Sequence, residues 1–342
     1  MKTLLNITSA AAVAFASHAM AGDYQTGLSE LAVQDNQTDR PLEGFIWYPT
    51  LERDGSASHH GNPVWRGIDA ISDADPADGA FPLVVLSHGM YGNAMNQSWL
   101  AADLARRGYI VAAINHPGTS TWLRDPDDSR QLWERPRDVS RIIDHFLADG
   151  ASLAVDPDRI FMGGHSLGGF TAIALAGGLY DKANMDAFCA SGSDDIACGV
   201  WDRWQIAKTP EDQSMMEADL SDPRIKGFAV FDLGGTQSFS AESLGQIETP
   251  TLVFGAPVDH HGMDLDAESR ALVERMPQDN VRYLEPETLS HFDFLGECNP
   301  NGMAILKEEE PEDAFICIDG VEERRAEHEM IAETVDVFFQ GI

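Results

Sequence analysis

Positive charge is what this chain has least of. Across 342 residues, 23 Lys and Arg face 56 Asp and Glu, for a formal net charge of −33. A surface of that sign repels nucleic acid and anionic membranes and keeps a protein in solution, so neither is expected as a partner. Cysteine is scarce too. The four present, Cys189, Cys198, Cys298 and Cys317, allow three pairings. Long apolar runs are missing: past the N-terminus none approaches the ~20 residues that a bilayer-crossing helix needs. No internal repeat and no low-complexity linker divide the chain, so one large domain is expected. Nothing in the sequence marks an oligomeric state.

Residues 1–21 are set apart from the fold. Lys2 gives a charged start, 10–16 is a short apolar run, and Ala19-Met20-Ala21 is a small-x-small cleavage site before Gly22. This is the pattern of a secretory signal, which places the protein outside the cell or in the periplasm. Export implies an oxidising compartment, and there the sequence-local pairs Cys189–Cys198 and Cys298–Cys317 are expected to form disulfides.

The rest of the chain is organised around Arg159-Ile-Phe-Met-Gly-Gly-His-Ser-Leu-Gly-Gly-Phe170. It reads as a buried strand over 160–163, a sharp turn, and a helix starting near Leu167. Gly164-His165-Ser166-Leu167-Gly168 fits G-x-S-x-G and resembles the nucleophile elbow of α/β-hydrolases. The spacing has a chemical reason. Ser166 must sit on a strained turn so that its Oγ projects above the sheet, and a glycine on either side keeps that crowded space clear. The helix N-terminus that follows aims backbone N–H groups at the place where an oxyanion would form.

Upstream, 81–86 is a continuous apolar strand running into Ser87-His88-Gly89-Met90-Tyr91-Gly92. The loop after that strand is expected to supply the second oxyanion N–H, which nominates the backbones of Met90 and Leu167. His88 is read as a loop-fixing side chain. Helix 97–108, strand 109–114 and amphipathic helix 136–149, with Val139, Ile142, Ile143 and Phe146 on one face, continue the alternation. Strands at 227–231, 251–254 and 281–284 and helices near 265–276 and 322–339 complete an α/β fold with a doubly wound, mostly parallel sheet. Residues 51–80, rich in Gly, Ser, Asp and Pro, read as a surface connection with a solvated His59-His60 pair. Residues 181–222, carrying Trp201, Trp204, Met215 and Met216, interrupt the pattern and read as a cap insertion.

A serine hydroxyl needs a base, and the base needs an acid to orient it. Four histidines follow Ser166. His291, in a loop just past the last predicted strand, stands where the base belongs; His328 lies on a terminal helix, and His260 and His261 sit where an acid is expected. Two aspartates end adjacent strands. Asp259, after strand 251–254, holds the usual position and is preferred; Asp232, one strand earlier, is the alternative.

Phe81-Pro-Leu-Val-Val-Leu-Ser-His-Gly-Met90, Leu104-Ala-Arg-Arg-Gly-Tyr-Ile-Val-Ala-Ala113, Arg135-Pro-Arg-Asp-Val139, Ser240-Ala-Glu-Ser-Leu244 and residues 290–295 together resemble the dienelactone-hydrolase-like esterases. That group is similar to plasma-type platelet-activating-factor acetylhydrolases and to bacterial cutinases. The resemblance implies an α/β-hydrolase fold, Ser166 and His291 in a triad, and Met90 and Leu167 in the oxyanion hole. Dienelactone hydrolases themselves use a cysteine nucleophile, where this chain has serine. On the acid the relatives divide: cutinases imply Asp259, the acetylhydrolases Asp232.

The expected activity is hydrolysis of a carboxylic ester, a lipid, aromatic diester or polyester among the candidates, with no metal or organic cofactor. An acyltransferase or amidase would use the same triad. A metal phosphoesterase centred on Asp259-His260-His261 with Asp264 is a lower-ranked alternative.

Overall fold

The computed structural model describes residues 24–34, 40–259, 262–318 and 321–342; the expected signal, 1–21, lies outside them, as do His260 and His261. The strands are β1 (Gln25–Val33), β2 (Leu42–Thr50), β3 (Ala57–His59), β4 (Ile68–Ser72), β5 (Phe81–Ser87), β6 (Ile110–Asn115), β7 (Val155–His165), β8 (Ile225–Phe231), β9 (Thr251–Phe254) and β10 (Val281–Leu284). They form one sheet in the order β10-β9-β8-β7-β5-β6-β2-β1-β4-β3. From β6 to β10 every neighbour is parallel. β2 runs antiparallel to both β6 and β1.

The parallel core has the composition that two-sided cover demands. In β5, Leu83 and Val85 belong to one apolar layer and Val84 and Leu86 to the other, all buried. A strand covered on both faces reads as an unbroken apolar run. Helix Ser98–Arg106 covers one face with Leu100 and Leu104, and helix Glu134–Leu147 the other with Val139, Ile142, Ile143 and Phe146. Because β6 lies to one side of β5 and β7 to the other, the two crossover helices take opposite faces. A crevice opens at the carboxyl ends of β5 and β7, where such sheets bind ligands.

Residues 51–80 depart from the expected surface connection. They contribute β3 and β4, with β4 beside β1, and His60 folds back onto Phe45 and Trp47, ring centroids 4.4 and 5.7 Å away. Burial pushes the pKa of that imidazole to about 4, so His60 is not the solvated histidine the composition suggested.

Residues 181–222 hold three short helices, Lys182–Ala190, Ile196–Arg203 and Pro210–Met216, capped by the side chains of Asp181, Asp195 and Thr209. Cys189–Cys198 joins the first two, and Cys298–Cys317 closes the tail segment, both as expected. The tail has a small apolar cluster of its own, Cys298, Leu306, Ala314 and Cys317 against Val64, Trp65, Met303 and Ile316. A cluster that small depends on its staple. Replacing Cys298 and Cys317 by serine removes about 3 kcal/mol of loop-closure stabilisation. Limited proteolysis should then cut within 298–317 at denaturant concentrations that leave the sheet folded; simultaneous loss of both would disprove a local clamp.

Candidate active site

β7 ends at His165 and helix Leu167–Leu175 begins one residue after Ser166. Ser166 spans that gap at φ 55° and ψ −118°, a conformation a side chain rarely adopts. The flanking glycines show why it is tolerated. A Cβ on Gly164 would meet Gly168 O at 2.0 Å, and one on Gly168 would meet Ser87 O at 1.9 Å. The N–H of Ser166 still donates to Phe231 O at 3.0 Å, extending the β7–β8 ladder into the turn.

His291 opens a short 3₁₀ turn, His291–Phe294. Its Nδ1–H donates to Asp232 Oδ2 at 2.7 Å, leaving Nε2 as the nitrogen with a lone pair. His165, the residue before Ser166, donates from Nε2 to the carbonyl of His291 at 2.8 Å, which ties this turn to the elbow. Ser166 and His291 line the same cavity. Burial pushes the His291 pKa below its ordinary 6.5, while the charges of Asp259 and Asp293 act the other way.

The carboxylate bonded to the ring is therefore that of Asp232, the alternative, rather than that of the preferred Asp259. The cause is strand order. β8 lies directly beside β7, with His165 paired to Phe231, so the next residue, Asp232, emerges next to Ser166. Its backbone is left-handed, φ 43°, and its Oδ1 accepts from Ala256 N at 3.0 Å and Ser269 Oγ at 3.4 Å. Asp259 lies beyond β9, with Oδ1 accepting from Gly262 N at 2.9 Å. Among the described residues no group of three or more His, Cys, Asp or Glu is placed to hold a metal ion.

The histidine turn is braced from behind. Ser290 N and Oγ both donate to Asp293 Oδ2 at 2.7 Å. Buried Arg324 donates from Nε to Asp293 Oδ1 at 2.9 Å and from Nη2 to Ile316 O at 2.7 Å. It thus joins the histidine turn to the stapled tail. His328 donates to Asp293 O at 2.8 Å and stacks on Trp99, 3.6 Å between centroids, which gives it a bracing place rather than a proton to transfer.

On the opposite side, Gly89 lets the loop after β5 approach Ser166: a Cβ there would stand 3.0 Å from Ser166 Cβ. His88 Nδ1–H donates to Gly89 O at 2.7 Å and its Nε2 accepts from His116 N at 3.1 Å. Both ring nitrogens are used and the ring is neutral, its pKa held well down by burial and by Arg135. Arg135, 1% exposed, donates to His88 O, to Ser87 Oγ at 3.1 Å, to Thr119 Oγ1 at 2.6 Å and to Thr171 Oγ1 at 3.0 Å. Leu167, at the first position of its helix, has no intrahelical acceptor for its N–H; Met90 and Leu167 both line the cavity.

A second Ser-His-Asp array lies beneath this loop. Ser87 Oγ donates to His116 Nε2 and His116 Nδ1–H to Asp138 Oδ2, each at 2.9 Å. All three are fully buried. Burial takes the His116 pKa to about 3, and its partners His116 and Arg40 hold Asp138 at about 2. With no access to a substrate, the array is scaffolding for the loop above it.

The cavity, about 650 Å³, lies above Ser166. Ile196, Val200 and Trp201 form one wall; Trp65, Leu306, Phe315 and Ile316 form the other. The second wall has no signature in the sequence beyond the paired cysteines, because it joins segments over two hundred residues apart, as where Arg66 N donates to Glu297 O at 2.8 Å. Among the described residues, no helix is long and apolar enough to cross a membrane.

Known proteins share parts of this sequence and this fold. A solved ferulic acid esterase from Streptomyces cinnamoneus superposes with a TM-score of 0.62 over 94% of this chain and 91% of that one, at 20% identity. Cutinase est2 of Thermobifida alba is 31% identical over 96 residues, 27% of this chain and 29% of the cutinase. Cutinase 2 of Thermobifida cellulosilytica is 30% identical over 96 residues, 27% of this chain and 33% of its own. The chain thus spans a third or less of the curated relatives it matches. A model of the alpha/beta hydrolase family covers residues 84–298, the stretch that holds the elbow and most of the parallel sheet, and the chain belongs to that family.

Proposed function

We propose that this protein is an exported serine hydrolase of carboxylic esters that works through an acyl-enzyme on Ser166. The observation that carries the reading is the 2.7 Å bond from His291 Nδ1 to Asp232, made beside a serine held in a strained turn and facing the same cavity. Asp232 fixes the tautomer, so Nε2 of His291 takes the proton of Ser166 Oγ as it attacks the ester carbonyl. The N–H groups of Met90 and Leu167 receive the developing oxyanion. The protonated imidazole then gives its proton to the leaving alcohol, and water repeats the sequence on the acyl-enzyme. Residues 181–222 serve as a cap supplying an apolar wall for the substrate. Two disulfides and the pattern of residues 1–21 support export. The cutinase and ferulic acid esterase relatives support an ester substrate.

A fluorophosphonate probe tests the reading directly. It should add one phosphonyl group per chain, mapped to Ser166 by peptide mass, and none in Ser166→Ala. Labelling elsewhere, or no labelling of the folded protein, would remove the proposal.

The buried base also sets a pH expectation. Only neutral His291 accepts a proton, and burial favours that form below its ordinary pKa of 6.5. The acid limb of kcat/KM should have its midpoint below pH 6.5, activity falling only as pH drops through it. A midpoint at 6.5 or above would contradict the burial argument.

A further inference from the structure

Arg124 is a cation with no ionic partner among the described residues, in a protein that has few cations to spare. It lines the cavity above Ser166, and among the described residues no carboxylate lies in ion-pair range of it. The other arginine of the cavity, Arg66, has Glu297 at 3.4 Å. The acid next to Arg124 in sequence, Asp125, turns inward to cap its own helix, accepting from the N–H groups of Asp127 and Asp128.

The position is built rather than incidental. The Arg124 backbone bridges to Gly118 and Thr119, and its guanidinium lies 4.3 Å from the centre of the Tyr91 ring. Stacking on a ring face leaves the in-plane N–H edges of a guanidinium open to an acceptor. Tyr91 is itself fixed: its N–H donates to Thr119 O at 2.8 Å, its carbonyl accepts from Thr121 Oγ1 at 2.7 Å, and its hydroxyl accepts from Trp204 Nε1 at 3.0 Å. Tyr91 follows Met90, the residue proposed to bind the oxyanion. The cation is therefore mounted on the loop that faces the reacting carbonyl, with the apolar side chains of Val200 and Trp201 lining the same cavity.

We propose that Arg124 is a subsite for a carboxylate on the acyl part of the substrate, so that the enzyme favours half-esters of dicarboxylic acids. This rests on the esterase reading above. The ester carbonyl sits at Ser166, an apolar spacer lies along the cap wall, and the free carboxylate meets the guanidinium fork, a pairing of matched bidentate geometry. The Ser166 Oγ–acyl bond forms as the acyl–alkoxy bond breaks, His291 passes the proton to the alcohol, and water releases the free dicarboxylic acid. Such an enzyme would consume the product of a first hydrolysis of a diester.

The test uses p-nitrophenyl hydrogen glutarate and its neutral methyl ester, and compares kcat/KM for the half-ester divided by kcat/KM for the diester. In Arg124→Gln this ratio should fall about tenfold, the scale of one charge-assisted contact in a partly open cleft, mostly through KM; Arg124→Lys should recover part of it. Raising salt to about 1 M, where screening acts within ~3 Å, should lower the wild-type ratio and leave that of Arg124→Gln nearly flat. A ratio unmoved by Arg124→Gln, or a half-ester left intact while the diester is cleaved, overturns the subsite and leaves the esterase standing. Cleavage of neither ester by the wild type overturns both.

Discussion

Ser166→Ala should lower kcat for p-nitrophenyl ester hydrolysis by about a millionfold, and Asp232→Asn by about ten-thousandfold. The two losses have different physical origins. Alanine removes the nucleophile, and what remains is the rate that oxyanion donors and binding sustain alone. Asparagine keeps the shape but offers an N–H where Asp232 accepts from His291 Nδ1–H at 2.7 Å. The ring then favours the tautomer whose Nε2 carries a proton and cannot take another. Asp259→Asn separates the two candidate acids. Asp259 acts on His291 as a neighbouring charge and accepts a loop N–H, so its amide should cost about tenfold at most. Steady-state kinetics on the three variants decides this: a larger loss in Asp259→Asn than in Asp232→Asn would reverse the assignment. Because triad members act as a unit, Ser166→Ala/Asp232→Asn should be no slower than Ser166→Ala.

What the sequence made legible follows from how local each requirement is. The elbow is local: Gly164, Ser166 and Gly168 must all be small or strained within one turn, and the surrounding strand and helix announce themselves by composition. The parallel strands β5 to β9 were equally readable, because two-sided burial leaves unbroken apolar runs. The choice between Asp232 and Asp259 was not readable. Both end a strand, and what separates them is that β8, not β9, is hydrogen-bonded to β7, a fact of three-dimensional order. β1 was missed because QTGLSELAV neither alternates cleanly nor forms an unbroken apolar run, and its burial is as irregular as its composition. The tail-side wall was missed for a related reason: Trp65, Phe315 and Ile316 meet only through folding of distant segments. Arg135 appeared within a resemblance, with no hint that it is buried.

Its burial makes Arg135→Met the variant with the largest expected effect on stability, a loss of about 2–4 kcal/mol. The sign is not automatic. Burial disfavours the guanidinium, taking its pKa down to about 9, and methionine relieves that desolvation. Three of the four acceptors also adapt: Ser87 still has His116, Thr171 still donates to Leu167 O at 3.1 Å, and the Thr119 hydroxyl can rotate. Asp138 keeps Arg40, bonded at 2.9 Å, and Arg141, so no anion is stranded. The carbonyl of His88 has no such recourse, and an orphaned buried acceptor alone costs about 1–3 kcal/mol. The remainder comes from the space a thinner side chain leaves between β5 and helix Glu134–Leu147. Since His88 O precedes Gly89 and Met90 in the loop facing Ser166, lost stability should be accompanied by a fall in kcat, bounded by the hundred- to thousandfold cost of losing one oxyanion donor. Urea unfolding and ester kinetics on Arg135→Met and Arg135→Lys measure both. Lysine, with the charge but not the fork, should lie between methionine and wild type on each scale. An unfolding midpoint unchanged in the methionine variant would show that the carbonyl finds another donor, and that the loop does not depend on the cation beneath it.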